Sequence, residues 1–299
     1  MRRISLAIFA TCLATPALAA PLDAAPALTA AQIVDKNIAA RGGLDAWRKV
    51  QTTIWVGHIE SPNAPALNIP FALEQKRPDK TRFEIKMQNQ LSVRMFDGSH
   101  GWKVRPGRDG HPDVQAFTPD ELRFAEESQG IDGPLMDYQS EGITITLDGM
   151  EKVDGANAYR LSLLLPSGSR RHVWIDAQSF LDIKSDRKSQ NASGAPGTVS
   201  KYYRDYRTVD GLRIPFIIES GSDTGRAADK MVIDKVVLNP PLQDRMFAEP
   251  FAPRRQNKAL QVRNDTLGRM GRTTRPGQSR LQGPSSAYPA SLAGSGHVQ

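Results

Sequence analysis

The sequence predicts a mainly β chain with a few helices, and three observations carry that. Between residues 67 and 104, apolar and polar side chains alternate through four successive runs. A second alternating stretch runs from Ile143 to Leu238. Helical signals are confined to short stretches near residues 29–49 and 118–129. Successive side chains of a strand point to opposite faces, so a period of two marks strands.

In chain order, Thr29 has Gln32 three residues on, the spacing of a capping box. The helix it opens places Ile33, Val34 and Ile38 on one face, and Gly42-Gly43 ends it, because glycine readily takes the left-handed C-cap conformation. A shorter helical turn over 44–49 carries Trp47. Residues 52–59 read as a strand with Ile54, Trp55 and Val56, and Pro62 and Pro65 mark a loop. The four central runs carry Ile69, Phe71 and Leu73; Phe83, Ile85 and Met87; Leu91, Val93 and Met95; and Trp102 and Val104. Arg82, Glu84, Lys86, Ser92, Arg94 and Lys103 alternate with them. The reading is an antiparallel meander with one apolar and one charged face, turning at Arg77-Pro78-Asp79-Lys80, Asn89-Gln90 and Asp97-Gly98.

Residues 106–113 read as a loop. Thr118-Pro119-Asp120-Glu121 then opens a helix with an N-cap, a proline at the first position and an acid at the capping-box position; Gly130 stops it. Residues 131–138 form an ordered connection. The second β-rich half has Ile143, Ile145 and Leu147; Tyr159, Leu161, Leu163 and Leu165; Val173 and Ile175; and Leu181 and Ile183. A polar loop is expected over 189–197, followed by strands at 202–206, 212–218 and 231–238, with Pro240-Pro241 ending the sheet.

That makes about eleven strands and two or three helices. At about 4.8 Å per strand, a flat sheet of that size would be roughly 50 Å wide. Each helix covers about 10–12 Å. The apolar face therefore needs a second sheet, or the sheet curls round its helices and keeps apolar volume suited to an apolar ligand.

The ends of the chain differ from this body. Arg2-Arg3, the apolar residues 4–13 and Ala17-Leu18-Ala19 have the form of a cleavable export signal over 1–19. Cleavage would remove Cys12, the one cysteine, leaving no disulfide, thiol nucleophile or cysteine metal site. An Ala/Pro-rich lead-in spans 20–28, and the main domain spans 29–252. From 253 apolar periodicity stops. Eight basic residues (Arg254, Arg255, Lys258, Arg263, Arg269, Arg272, Arg275, Arg280) face one acid, Asp265, so this segment carries charge equal to the whole chain's +7. It reads as a basic disordered tail, able to touch an anionic lipid surface or envelope membrane proteins.

A series of stretches resembles the LolA-like proteins, the outer-membrane lipoprotein carriers and their relatives, above all the branch called outer-membrane lipoprotein-sorting proteins. They are Ile38-Ala39-Ala40-Arg41-Gly42-Gly43-Leu44; Asp132-Gly133-Pro134-Leu135-Met136-Asp137-Tyr138; Tyr159-Arg160-Leu161 leading to Trp174-Ile175-Asp176; Asp205-Tyr206 with Val209-Asp210-Gly211-Leu212 and Pro215-Phe216; and Ile233-Asp234-Lys235-Val236 with Leu238-Asn239. The resemblance implies an unclosed antiparallel β-barrel with helices lying in its hollow, and a cavity for acyl chains.

The candidates to line that cavity are Trp55, Phe71, Phe83, Met87, Met95, Trp102, Leu161 and Leu163. For any single one of them plain core is the better reading, and the cavity expectation concerns the set as a whole. Gly42, Gly43, Gly133 and Pro134 are lid or hinge candidates, or simply turn residues. His58, His100, His111 and His172 lack metal-pair spacing, and no nucleophile elbow, phosphate loop or dinucleotide glycine pattern is present. No catalytic residue, metal or cofactor is expected. The expectation is a monomeric periplasmic carrier for acylated lipoproteins or lipids that does not bind nucleic acid. An envelope sensor or protein-interaction module on the same fold is the alternative, and an enzyme on a small hydrophobic substrate is third.

Overall fold

The computed structural model describes residues 28–62, 68–107, 110–128, 130–190, 196–222 and 229–250. The signal-like residues 1–19, all but Leu28 of the lead-in, and the basic segment from 253 lie outside the described residues. Within them, β1 (Thr52–Glu60), β2 (Asn68–Lys76), β3 (Lys80–Met87), β4 (Gln90–Phe96), β5 (Gly101–Pro106) and β6 (Pro112–Ala116) form one meander. A second comprises β7 (Thr144–Val153), β8 (Ala156–Leu164), β9 (Arg170–Asp176), β10 (Asp182–Gln190), β11 (Pro196–Val209), β12 (Leu212–Ser222) and β13 (Asp229–Leu238).

Pairing of β1 with β13 joins the meanders into one sheet, in the order β6-β5-β4-β3-β2-β1-β13-β12-β11-β10-β9-β8-β7. Every pairing is antiparallel, and β6 and β7 remain as edges, so the sheet is a curved, unclosed barrel. Thirteen strands stand where about eleven were expected. β6 falls partly in the expected 106–113 loop; its Pro-Asp-Val-Gln-Ala sequence has little apolar signal, and backbone pairing with β5 makes it a strand. The expected polar loop at 189–197 is shortened, because Ser189 pairs with Gly197 at the ends of β10 and β11.

Three helices lie against this sheet: α1 (Ala30–Ala40), α2 (Leu44–Arg48) and α3 (Pro119–Glu127). Thr29 and Thr118 each form the expected capping box, with Gln32 and Glu121. Ile33 and Val34 of α1 pack on Leu161, Leu163, Val173 and Ile175 of β8 and β9. Trp47 of α2 packs on Ile59, Ile69, Phe71 and Ile233 of the central strands. Between α1 and α2, Gly42 has φ +112°, and a Cβ there would stand 2.6 Å from the Gly211 carbonyl oxygen. This glycine is required by both its backbone conformation and the close approach of the β11–β12 turn.

The register revises the faces of the first meander. Residues opposite one another in an antiparallel pair share a face. Phe71, Leu73, Phe83 and Ile85 share the inner face, with Phe71 opposite Ile85 and Leu73 opposite Phe83. Phe83, however, stands opposite Arg94, and Arg94 opposite Lys103. Met95 stands opposite Arg82 and Trp102, on the outer face. The cause is the two-residue turn at Gln88 and Asn89, both at positive φ, which sets Met87 opposite Gln90. A shift of one residue exchanges the two faces of a strand. The apolar stripe thus crosses from the inner to the outer face between β3 and β4.

The β1–β13 seam yields a stability prediction. A Cβ on Gly57 would lie 2.0 Å from the Val232 carbonyl oxygen, at the register shift after Val56. Gly57→Ala is expected to lower stability by at least about 2 kcal/mol, because only movement of a strand relieves the clash. Urea denaturation checks this against Gly197→Ala, where the new Cβ has open space.

Candidate functional site

A cavity of about 390 Å³ lies between the inner face of the sheet and a cover made by α3 and the segment after it. Its apolar wall is built by Trp55 of β1, Leu73 of β2, Phe83 of β3, Ile218 of β12 and Met231 of β13. These strands are consecutive in the sheet, so residues of β1 and β13, far apart in sequence, share one wall there. The cover contributes Phe124, Ile131, Pro134 and Leu135, and Phe117, just before α3, lines the same cavity.

The α3 helix lies across the hollow and is tied at both ends. Glu121, 1 % exposed, accepts from Lys103 Nζ at 2.8 Å and Arg94 Nη1 at 3.0 Å. Burial works against the Glu121 charge, but the hydrogen bonds from Lys103, the Thr118 N–H and Arg94 hold its carboxyl below the usual range. At the other end, Glu127 accepts from Ser169 Oγ at 2.6 Å, Ser167 Oγ at 2.7 Å and Arg171 Nη2 at 3.1 Å. Burial again opposes ionisation, and these donors outweigh it, so Glu127 is also depressed. Between the two ties, Phe124 lies under the Arg187 guanidinium at 4.0 Å. Glu121, Phe124 and Ser128 follow helical spacing and all reach the cavity.

A second polar group lies where α1 meets β10. Arg41 Nε stands 3.7 Å from Asp182 Oδ2, and Asn37 Nδ2 donates to Asp182 Oδ1 at 3.2 Å. Tyr206 donates to the Asp182 carbonyl at 2.9 Å. Burial pushes the Asp182 carboxyl up, and Arg41 counters only part of that. The cover is also anchored from the β2–β3 turn. Arg77 donates to the Asp132 carboxylate and to the carbonyls of Val50 (2.6 Å) and Trp47 (3.0 Å).

A third group is cationic. Arg171, Arg187 and Lys201 line the cavity from β9, β10 and β11. Burial pulls the Lys201 ammonium down to about 8, and Arg187 and Arg171 add repulsion. Burial and Arg171 lower Arg187 to about 10 in the same way, and the Glu127 carboxylate opposes part of that. Arg187 Nε and Nη2 are buried without a hydrogen-bond partner among the described residues.

The sequence candidates separate on this geometry. Trp55, Phe83, Gly133 and Pro134 line the cavity. Phe71 lies behind the wall, its ring 5.9 Å from that of Phe83, and Met87 packs against the same core. Leu161 and Leu163 are buried under α1. Met95 and Trp102 are on the outer face, for the register reason given above. Gly42 and Gly43 form the turn between α1 and α2. Sequence reasoning missed Glu121 as a tie and missed the cations on β9–β11. The capping-box spacing pointed to Glu121 only as a cap; Arg171 falls in the period of Val173 and Ile175, but nothing local marks a cation there as part of a site, and Arg187 and Lys201 lie in polar runs. Among the described residues no cluster of three His, Cys, Asp or Glu could hold a metal ion, and no helix is long and apolar enough to cross a membrane.

No family model matches this chain, and no curated protein matches it. Solved structures do. A DUF1329 family protein from Desulfovibrio piger is 13 % identical at a TM-score of 0.48, covering 72 % of this chain and 95 % of that one. A LolA superfamily protein from Nitrosomonas europaea is 15 % identical at 0.47, covering 74 % and 98 %. An outer membrane lipoprotein-sorting protein domain from Vibrio parahaemolyticus is 13 % identical at 0.48, covering 73 % and 95 %. The last two belong to the group that the sequence resemblance names. The open antiparallel sheet with helices in its hollow has the form which that resemblance implies.

Two outcomes follow for the site. Both α3 glutamates are depressed, so their stabilisation is complete above the unfolded value near 4.5 and lost as pH falls through the lower folded values. Amide exchange measured along α3 at a series of acid pH values should show its protection falling before that of β8 and β9. Glu127→Gln should bring part of that loss to neutral pH. For Lys201 the sign is opposite. Its folded value of about 8 lies below the ordinary 10.5, so the charge costs on the order of 3 kcal/mol at pH 7. Stability recovers as pH rises from 8 to 10.5, where the native state has already released the proton. Lys201→Met should melt above the unchanged protein at pH 7, with the gap closing across that window.

Proposed function

We propose that this chain is a periplasmic binding or carrier protein for the acyl chains of lipoproteins or lipids, and that it makes and breaks no covalent bond. The observation that carries the reading is the apolar wall of Trp55, Leu73, Phe83, Ile218 and Met231 facing a cavity under α3. Its volume is within the range of about 300–1,000 Å³ typical of small-molecule sites. Each buried methylene contributes about 0.8 kcal/mol, so a tail of about twelve yields on the order of 10 kcal/mol gross. Ordering the chain and displacing the cover offset part of that.

A carrier has to release what it holds. The α3 cover is bound to the sheet mainly through Glu121, Phe124 and Glu127, on a helix of nine residues. Ion pairs and a single aromatic contact can be exchanged for water as a unit, whereas α1 is held by the deep core of β8 and β9. Opening on the α3 side therefore leaves the sheet intact.

The test is native mass spectrometry on protein purified from the periplasm without detergent, followed by titration with a fluorescent fatty acid. An acylated species at one per chain, or saturable uptake, supports the reading. Phe83→Gln should weaken uptake about tenfold, close to 1.4 kcal/mol, with the fold retained because Phe83 is only partly buried. A ligand-free mass with no uptake by the unchanged protein would overturn the proposal.

A further inference from the structure

The cavity has one wall that an apolar cargo does not explain. Arg171, Arg187 and Lys201 occupy inner-face positions on β9, β10 and β11, with Arg171 opposite Arg187 in the register. Across the β10–β11 pair, Lys201 stands opposite Ser185 and Val199 opposite Arg187. The three side chains thus form one patch across three adjacent strands.

Charge within the cavity is otherwise matched. Asp182 faces Arg41, and Glu121 faces Arg94 and Lys103. Glu127 is paired with Arg171 and also accepts from two serines. Among the described residues, Arg187 and Lys201 have no ion-pair partner, and two nitrogens of Arg187 have no acceptor. Leaving a buried charge without a partner is strongly unfavourable, so a patch like this persists where something compensates it in use. An amphiphile with an oxyanion head would do so, since a guanidinium and an ammonium together suit carboxylate or phosphate oxygens.

The sheet order places this patch beside the apolar wall. Five strand spacings separate β10 from β2, roughly 24 Å along the sheet at about 4.8 Å each. A head on β9–β11 leaves its tail directed along the same inner face toward Trp55, Leu73 and Phe83. Phe124 of the cover lies against Arg187, so the head would sit under α3 at the point where the cover meets the sheet.

We infer that Arg171, Arg187 and Lys201 form a binding site for the oxyanion head, carboxylate or phosphate, of an acyl amphiphile whose tail occupies the apolar wall. The inference rests on the carrier reading and adds a headgroup preference to it. Arg187 and Lys201 supply charge that no ion pair among the described residues matches, although Glu127 and the Phe124 ring offset part of that of Arg187. Arg171 is shared with Glu127, which couples head binding to the tie at the end of α3.

The experiment is calorimetric titration of the full chain with oleate, 1-oleoyl lysophosphatidate and oleyl alcohol, repeated on Lys201→Met, Arg187→Gln and Arg187→Lys. Replacement of uncompensated cations is expected to leave the fold intact, with melting temperature as the check. The expected result is at least tenfold tighter binding of one or both anions than of the alcohol. Lys201→Met should remove that preference and keep the alcohol affinity; Arg187→Gln should also remove it, read as the ratio of anion to alcohol affinity because this change frees Phe124 of the cover, while Arg187→Lys should retain part of the preference. A preference for oleate alone identifies a carboxylate head, and one for lysophosphatidate alone a phosphate head. Equal binding of all three probes would overturn the headgroup site and leave the carrier reading standing. Binding of none would overturn both.

Discussion

The pairing of β1 with β13 is the contact on which the rest of this structure depends. Each meander is local and its hairpins need only short turns, but neither alone has a hollow. Joining Thr53 to Leu238 and Glu60 to Lys230 closes a loop of well over a hundred residues and makes one sheet of two. Loop-closure cost grows only slowly with length, so the pairing is affordable once the hairpins exist. It has three consequences. The two edges fall at β6 and β7, the apolar residues of β12 and β13 come beside those of β1 to β3, and Gly57 must remain without a side chain.

One open sheet has an inner face that must be covered, and three short helices share the work unequally. α1 and α2 are core elements, buried through Ile33, Val34 and Trp47. α3 is held differently, by carboxylates that reach strands on both sides of the hollow and by one aromatic ring under a guanidinium. A cover fixed by polar ties keeps the volume beneath it open, where one fixed by leucines would fill it. The same choice sets the chemistry of the interior. Among the described residues, two cations on β10 and β11 have no ion-pair partner, and the cavity acquires an apolar and a cationic region.

Much of the fold was legible locally. The helix starts at Thr29 and Thr118 came from side chains bonding backbone three residues away, which is a property of sequence spacing. Strands with a clean period of two were equally plain. β6 and the shared ends of β10 and β11 were not, because polar strands are made by their neighbours' backbones and have no pattern of their own. Among the site residues, Trp55 and Phe83 were legible as inward apolar positions. Met95 and Trp102 were assigned to the same face, although a turn at Gln88 and Asn89 had reversed it.

The sequence by itself determined the strands with a clean period of two, the capped helices, and that too few helices exist to cover the sheet flat. Those are consequences of periodicity, capping and counting, all local or additive. Tertiary structure alone decided which alternating residues face inward, since facing depends on register and register on turn geometry. It alone decided that Glu121 and Glu127 fasten α3. It alone brought Arg171, Arg187 and Lys201 into one patch, because a cation's cost or use depends on which charges surround it in space.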